Sequence, residues 1–188
     1  MRKIIFQMMI SVDGFFEGPN KELDWHNVDK EFNDISIAFL DSVDTLIFGR
    51  ITYELMASYW PTSEANSDDP LVAERMNNLQ KIVFSKTLKK ADWNNSKLLN
   101  GNAIEEIKNL KQLPGKDMAI FGSSNLVLGL LDYNIIDEYR LIVSPVILGK
   151  GTSLFNGLKN RVYLKLIESK IYNSGNVLLN YRIEKKNS

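Results

Sequence analysis

Residues 46–54 read L-I-F-G-R-I-T-Y-E. An apolar run stops at Gly49, Arg50 follows, and Thr52 leads into helix-like sequence. A buried strand that ends on Gly-Arg and restarts as a helix two residues later is either a tight turn or a phosphate seat. A helix start offers free N–H groups and the positive end of its dipole, so it favours an anion. The spacing predicts a strand over residues 44–48 and a helix over residues 52–59, with Thr52 as N-cap and Trp60-Pro61 as its end.

The same alternation continues on both sides. Lys3 to Ser11 is an apolar run that reads as a buried strand, broken by Val12-Asp13-Gly14. Residues 15–28 read as a loop. Residues 29–42 place Phe32, Ile35, Ala38 or Phe39, and Val43 at helical spacing. Residues 62–70, T-S-E-A-N-S-D-D-P, read as a polar loop before a short helix near residues 71–78. Strands are expected over residues 81–85, 97–99 and 118–121, and helices over residues 103–113 and in the apolar stretch after G-S-S-N. From Asp137 onward three strand-like segments follow with turns between them. Strand and helix alternate over two thirds of the chain and strands fill the rest. The expected fold is therefore α/β: one three-layer domain over residues 1–188, with a mostly parallel central sheet, flanking helices and antiparallel C-terminal strands. The closing E-K-K-N-S reads as a frayed terminus.

Composition narrows the chemistry. The 188 residues balance 23 basic against 23 acidic side chains, and 44% are hydrophobic. A nucleic-acid partner is not expected without a basic excess. No cysteine is present, which removes disulfides, thiolate metal sites and thiol nucleophiles. His26 is the single histidine, so a multi-histidine metal site within one chain is excluded and no metal is expected. It reads as a surface residue. No apolar run reaches ~18 residues, so no membrane span is expected and the cytosol is the expected compartment.

Three strand-to-helix turns carry polar residues on what should be one edge of the sheet. They are Phe48-Gly49-Arg50-Ile51-Thr52, Phe84-Ser85-Lys86-Thr87-Leu88 and Phe121-Gly122-Ser123-Ser124-Asn125. Ligands of open α/β sheets bind outside the carboxyl ends of the strands. Three such turns with two cations suit a ligand with several phosphates, although neither G-x-G-x-x-G nor G-x-x-x-x-G-K-[ST] occurs.

These residues resemble the dihydrofolate-reductase-like superfamily. The likeness is greatest to stand-alone proteins similar to the C-terminal reductase domain of bacterial bifunctional deaminase–reductases of riboflavin synthesis. It is carried by S-V-D-G at 11–14, L-D-W at 23–25, F-G-R-I-T-Y-E at 48–54, V-F-S-K-T-L at 83–88, F-G-S-S-N-L at 121–126, I-D-E-Y-R at 136–140 and P-V-I-L-G-K-G-T-S-L-F at 145–155. The resemblance implies NADPH as cofactor and hydride transfer as chemistry. It assigns Gly49, Arg50 and Thr52 to the cofactor phosphates and Ser85, Lys86 and Thr87 to the 2′-phosphate. Gly122, Ser123, Ser124, Asn125 and Leu126 then lie beside the pyrophosphate and nicotinamide. The acceptor is expected near Asp13, Asp24, Trp25, Asp29 and Tyr53. Asp13 is the leading acid for catalysis, with Asp29 as its rival, and Trp25 could stack on a flat ring. Its charged segment F-F-E-G-P-N departs from the lysine-containing stretch of the riboflavin enzymes. The expected substrate is a small pterin-like or aminouracil-like heterocycle with a C=N or C=O acceptor. The alternatives are 5-amino-6-(5-phosphoribosylamino)uracil reduction, or an NADPH-binding protein without turnover. The resemblance also implies a homodimer, paired through a C-terminal edge such as residues 139–146 or 163–172.

Overall fold

The computed structural model describes residues 1–184, so residues 185–188 of the expected frayed terminus lie outside the described residues. Ten strands and six helices follow one another. They are β1 (Ile4–Ser11), β2 (Phe15–Glu17), α1 (Lys30–Ser42), β3 (Val43–Gly49), α2 (Arg50–Tyr59), α3 (Ser63–Asp68), α4 (Pro70–Asn78) and β4 (Gln80–Phe84). Then come β5 (Ser96–Leu99), α5 (Ala103–Gln112), β6 (Asp117–Phe121), α6 (Ser124–Leu131), β7 (Glu138–Ser144), β8 (Thr152–Ser153), β9 (Leu164–Ile171) and β10 (Val177–Ile183).

Eight strands form one sheet in the order β5-β4-β3-β6-β1-β7-β10-β9. All neighbours from β5 to β7 pair in parallel, while β10 runs antiparallel to both β7 and β9. The parallel strands are apolar on both faces because helices cover both. Phe6, Ile47, Met118 and Ile120 pack with Ile107, Val127 and Leu130 of α5 and α6. Ile5, Leu46, Phe48 and Ala119 pack on the other face with Phe39 of α1, Tyr53 of α2 and Met76 of α4. The expected mostly parallel sheet with flanking helices and antiparallel C-terminal strands is the observed one.

Four local expectations change. Residues 62–70 are not a loop: Thr62 caps α3 by accepting from the Ala65 N–H (3.2 Å), and Pro70 opens α4 at a position that needs no donor. Residues 15–28 contain β2, which pairs with β8 as a separate two-stranded ribbon. No helix follows β4. The Ser85 hydroxyl accepts from the Thr87 and Leu88 N–H groups (3.1 and 2.9 Å), closing a local turn, and the chain then runs to β5 without helix. Residues 139–146 are no edge, because β7 lies between β1 and β10; the outer strand on that side is β9.

The α4–β4 corner is closed by a buried lysine. Lys81 donates from Nζ to the carbonyls of Asn77 (2.9 Å), Leu79 (2.7 Å) and Asn94 (3.0 Å), and lies 4.4 Å from the centre of the Trp93 ring. Burial pushes its pKa down to about 8. That one donor group serves three carbonyls, of which Asn77's also accepts from Asn95 Nδ2 (3.4 Å), and a buried carbonyl without a donor is costly. Lys81→Met is expected to lower stability by about 2–4 kcal/mol in urea unfolding. An unchanged midpoint and slope would show that the three bonds contribute nothing.

Candidate functional site

The carboxyl ends of β3 and β6 are tied together by side chains of each other's turns. The Gly49 N–H donates to Ser123 Oγ (2.8 Å), and the Ser123 N–H donates to Thr52 Oγ1 (2.9 Å). This bonding requires a sharp turn at residues 122–123, and both residues have φ +56°. A Cβ at residue 122 would fall 2.9 Å from Thr52 Cγ2 and 3.1 Å from its hydroxyl, so the turn there needs glycine.

The expected cap, Thr52, is therefore engaged elsewhere, and so is Ser123. Helix α2 starts at Arg50 with Gly49 as its N-cap, and Thr52, in its first turn, serves the neighbouring strand end instead. Ser123 occupies the N-cap position of α6, yet its hydroxyl receives Gly49 rather than its own helix. Neither helix start has a side-chain cap bond. Two sets of first-turn N–H groups are thus left facing the edge of the sheet. The chain leaves β3 over the α1 face and β6 over the opposite face, so the crevice between them is a topological switch point.

The other turn residues stand around this crevice. Phe84 pairs with Gly49, which places the Ser85-Lys86-Thr87 turn beside the start of α2. Lys86 and Thr87 are exposed. Arg50 is exposed and bonds Glu54 one turn along (2.8 Å). Ser124 is half-buried, Asn125 exposed, and Leu126 packs inward against the core. Sequence reading thus located all three turns on one edge, while their hydroxyls do different work from that expected.

The acids and aromatics of the first loop are also engaged. Asp13 is exposed, and its carboxylate accepts from the N–H groups of Leu148 (3.1 Å) and Gly149 (2.7 Å). The Ser11 hydroxyl, together with these N–H groups, holds its carboxyl below the ordinary range. A carboxylate held in that way fastens the loop after β7 and gives up a proton more readily than it keeps one. Asp29 caps α1 by accepting from the Phe32 N–H (2.8 Å). Asp24 is exposed. Trp25 is half-buried, with Nε1 donating to the Glu22 carbonyl (3.2 Å) and its ring edge-on to His26. Tyr53 lies in the core, 3% exposed, between Phe48 and Trp93, and its hydroxyl accepts from the Trp93 N–H. Its expected place beside a substrate is not where the structure puts it, because its ring fills the gap between α2 and the loop before β5.

His26 is not a surface residue. Its Nε2 is buried, and burial pushes its pKa down to about 4. Among the residues missed in the sequence are Ser144, Tyr172 and Asn176, all buried. Their one signal was phase: Ser144 falls on the inward beat of Y-R-L-I-V-S, where an apolar side chain is expected. Among the described residues no group of three or more acids or histidines is placed to hold a metal ion, and no helix is long and apolar enough to cross a membrane.

A mostly parallel sheet with one reversed strand, β10, next to its β9 edge, and with glycine turns on its carboxyl edge, defines a dihydrofolate-reductase-like fold. The chain belongs to the RibD C-terminal domain family, whose pattern matches residues 2–179. It is 35% identical over 182 residues to the uncharacterized protein YyaP of Bacillus subtilis, covering 96% of this chain and 94% of that one. The crystal structure of a putative riboflavin biosynthesis protein from Shewanella sp. PV-4 superposes with a TM-score of 0.74 at 23% identity, covering 98% of this chain and 100% of that one. A dihydrofolate reductase from Enterococcus faecalis, complexed with NADP(H), superposes with a TM-score of 0.64 at 15% identity over 97% of each chain.

The titration of His26 has a definite sign. Its folded pKa, about 4, lies below the ordinary 6.5, so the unfolded chain takes up the proton first. The stability it contributes is present above pH 6.5 and is lost as pH falls towards 4. Urea midpoints should drop between pH 7 and pH 4.5 in the wild type, and less in His26→Gln. Identical slopes in the two proteins would remove the group from the account.

Proposed function

We propose that this protein is an NADPH-dependent reductase that delivers hydride to a C=N or C=O bond of a small heterocycle. The observation that carries the reading is the pair of uncapped helix starts, α2 and α6, held side by side by the Gly49–Ser123–Thr52 bonds. Free N–H groups of two helices at one crevice are suited to a pyrophosphate. Membership of the RibD C-terminal domain family and the NADP(H) complex of the Enterococcus reductase support the choice of nucleotide.

The residues present fit that nucleotide. Gly122 makes the turn that a side chain would crowd against Thr52, and the backbone of residues 50–52 and 124–126 supplies donors. Arg50, and Lys86 on the adjacent strand end, are exposed cations placed for the 2′-phosphate, with Ser85 shaping the turn that carries Lys86. When bound, the cofactor supplies the hydride. The protein's share is orientation and exclusion of water. Asp13 contributes by holding the 145–151 loop over the end of β1, and Asp29 by fixing the start of α1.

NADPH titration followed by energy transfer from the tryptophans tests the reading. Saturable binding in the micromolar range is expected, weakened at least tenfold in Gly122→Ala, which crowds Thr52 and disturbs the turn. No binding at millimolar NADPH sinks the proposal. Oxidation of NADPH by a pterin or aminouracil panel separates an enzyme from a protein that binds the cofactor without turnover.

The partner we propose is a second copy of this chain. Strand β9 is the outer strand at the C-terminal side of the sheet, opposite β5, and Leu166, Ile167 and Ile171 on it are 47%, 49% and 79% exposed. An unpaired apolar edge of this kind invites pairing with another strand. Light scattering should give the mass of two chains for the wild type and of one for Ile171→Asp combined with Leu166→Lys. A monomeric wild type at 100-fold varied concentration refutes it.

A further inference from the structure

Tyr53 is the fourth residue of α2, directly after the three whose N–H groups face the crevice. Its ring does not turn towards that crevice. It is buried between Phe48 and Trp93, with the three ring centres 6.2–6.4 Å apart. Its hydroxyl accepts from the Trp93 N–H at 2.9 Å. A side chain of α2 is therefore bonded to the main chain of another segment, residues 85–95, which joins β4 to β5.

That segment contains neither helix nor strand. Its first end stands at the carboxyl edge of the sheet. The Ser85 N–H donates to the Leu99 carbonyl (3.0 Å), and the Ser85 hydroxyl closes the turn that presents Lys86 and Thr87. Its far end is bonded from three sides. Trp93 Nε1 donates to Asn77 Oδ1 of α4 (2.6 Å), Lys81 Nζ to the Asn94 carbonyl (3.0 Å), and Asn95 Nδ2 to the Asn78 carbonyl (3.0 Å). Between the two ends Leu88 and Ala91 touch the core, while Lys86, Thr87, Lys89 and Lys90 are exposed. A cleft of ≈ 750 Å³ separates this middle stretch from α2, bordered by Tyr53, Ala57 and Pro61 on one side and by Leu88, Lys90 and Trp93 on the other. A stretch that spans a cleft is held by its ends, because few buried contacts hold its middle.

We propose that Tyr53 and Trp93 are positioning residues for the dinucleotide: their bond sets the Lys86 turn at a fixed distance from the start of α2, and this spacing makes the protein prefer the 2′-phosphorylated cofactor to its unphosphorylated form. The proposal rests on the reductase reading above. The pyrophosphate and the 2′-phosphate of such a nucleotide are joined through one ribose, so covalent geometry sets their separation. Two anion seats reward that ligand fully only when they stand at the same separation. A seat on a loop free to wander loses part of its gain to the entropy of ordering. One seat is on α2 and the other on the 85–95 loop. Tyr53 belongs to the first element and bonds the second. Arg50 already shares its charge with Glu54 one turn along (2.8 Å), which leaves Lys86 as the larger source of discrimination.

Tyr53→Phe deletes the one oxygen that joins α2 to the loop. Trp93→Phe deletes the bond to Asn77 and keeps the main-chain N–H. Calorimetric titration with NADPH and with NADH measures both affinities in each protein. The wild type is expected to bind NADPH about tenfold or more tightly than NADH. Each variant should cut that ratio about three- to tenfold, in line with one lost hydrogen bond, with NADH affinity held within about twofold. Lys86→Ala should remove most of the ratio, and adding Tyr53→Phe to it should change the ratio no further, because the tyrosine acts through that lysine. Trypsin supplies a reading without nucleotide. Cleavage after Lys86, Lys89 and Lys90 should quicken in both variants while cleavage elsewhere does not, which a general loss of structure would not allow. Trp93→Phe carries the test if Tyr53→Phe does not fold. The proposal is overturned by a wild type that binds both nucleotides equally, by a ratio unmoved in both variants, by loop cleavage no faster in either, or by a full Tyr53→Phe effect in the Lys86→Ala background. Each of these leaves a dinucleotide site standing. A wild type that binds neither nucleotide removes the reductase reading itself, and the cofactor preference with it.

Discussion

Two hydrogen bonds exchanged between the ends of β3 and β6 govern the working edge of this protein. Each contributes only about 1 kcal/mol net. Their importance is directional. They engage the Ser123 hydroxyl, which stands at the N-cap position of α6, while α2 starts behind Gly49, which has no side chain to cap it. The helix starts keep their donors because one cap is spent sideways and the other is a glycine. The pyrophosphate seat proposed for the nucleotide follows from that arrangement.

The two edges of the sheet are finished in opposite ways. At the amino ends charges are matched: Arg2 with Asp44, Lys111 with Asp137 (2.5 Å), Lys3 with Glu138 (2.8 Å) and Arg75 with Asp41 (2.8 Å). A cleft of ≈ 760 Å³ opens there, but its arginines are already paired with its acids. At the carboxyl ends the helix starts are open, Lys86 has no ion pair among the described residues, and the buried hydroxyls under α1 lack partners. A large, saturated hollow is a poorer guide to chemistry than a small set of unmet bonds.

Much of the architecture was legible in the sequence because the parallel strands are short apolar runs ending in glycine or serine, and their order of alternation follows from sterics. Gly49 and Gly122 could be read as strand ends. Which hydroxyl would bond which turn could not, since Thr52 and Ser123 lie 71 positions apart and only folding brings them together. The 62–70 stretch misled because a capping threonine and a run of small polar residues look the same in a loop and in a short helix. Asp13 and Asp29 were visible as acids, but their engagement with the 148–149 turn and with the start of α1 depends on partners that no local pattern announces. Ser144, Asn176 and Tyr172 were hidden for a related reason. They come side by side only when three strands are laid in register.

Ser123 sits in the left-handed region with φ +56°, without being a glycine. Glycine there would relax the backbone but forfeit the oxygen that receives Gly49. Threonine would keep the oxygen, yet its branched Cβ is the least tolerant of that conformation. Asparagine tolerates the conformation but carries its oxygen one bond further out. The position is thus squeezed between backbone comfort and side-chain reach, and serine is the smallest compromise. A library that randomises this one codon should recover a far narrower set of functional residues than its half-exposed position suggests.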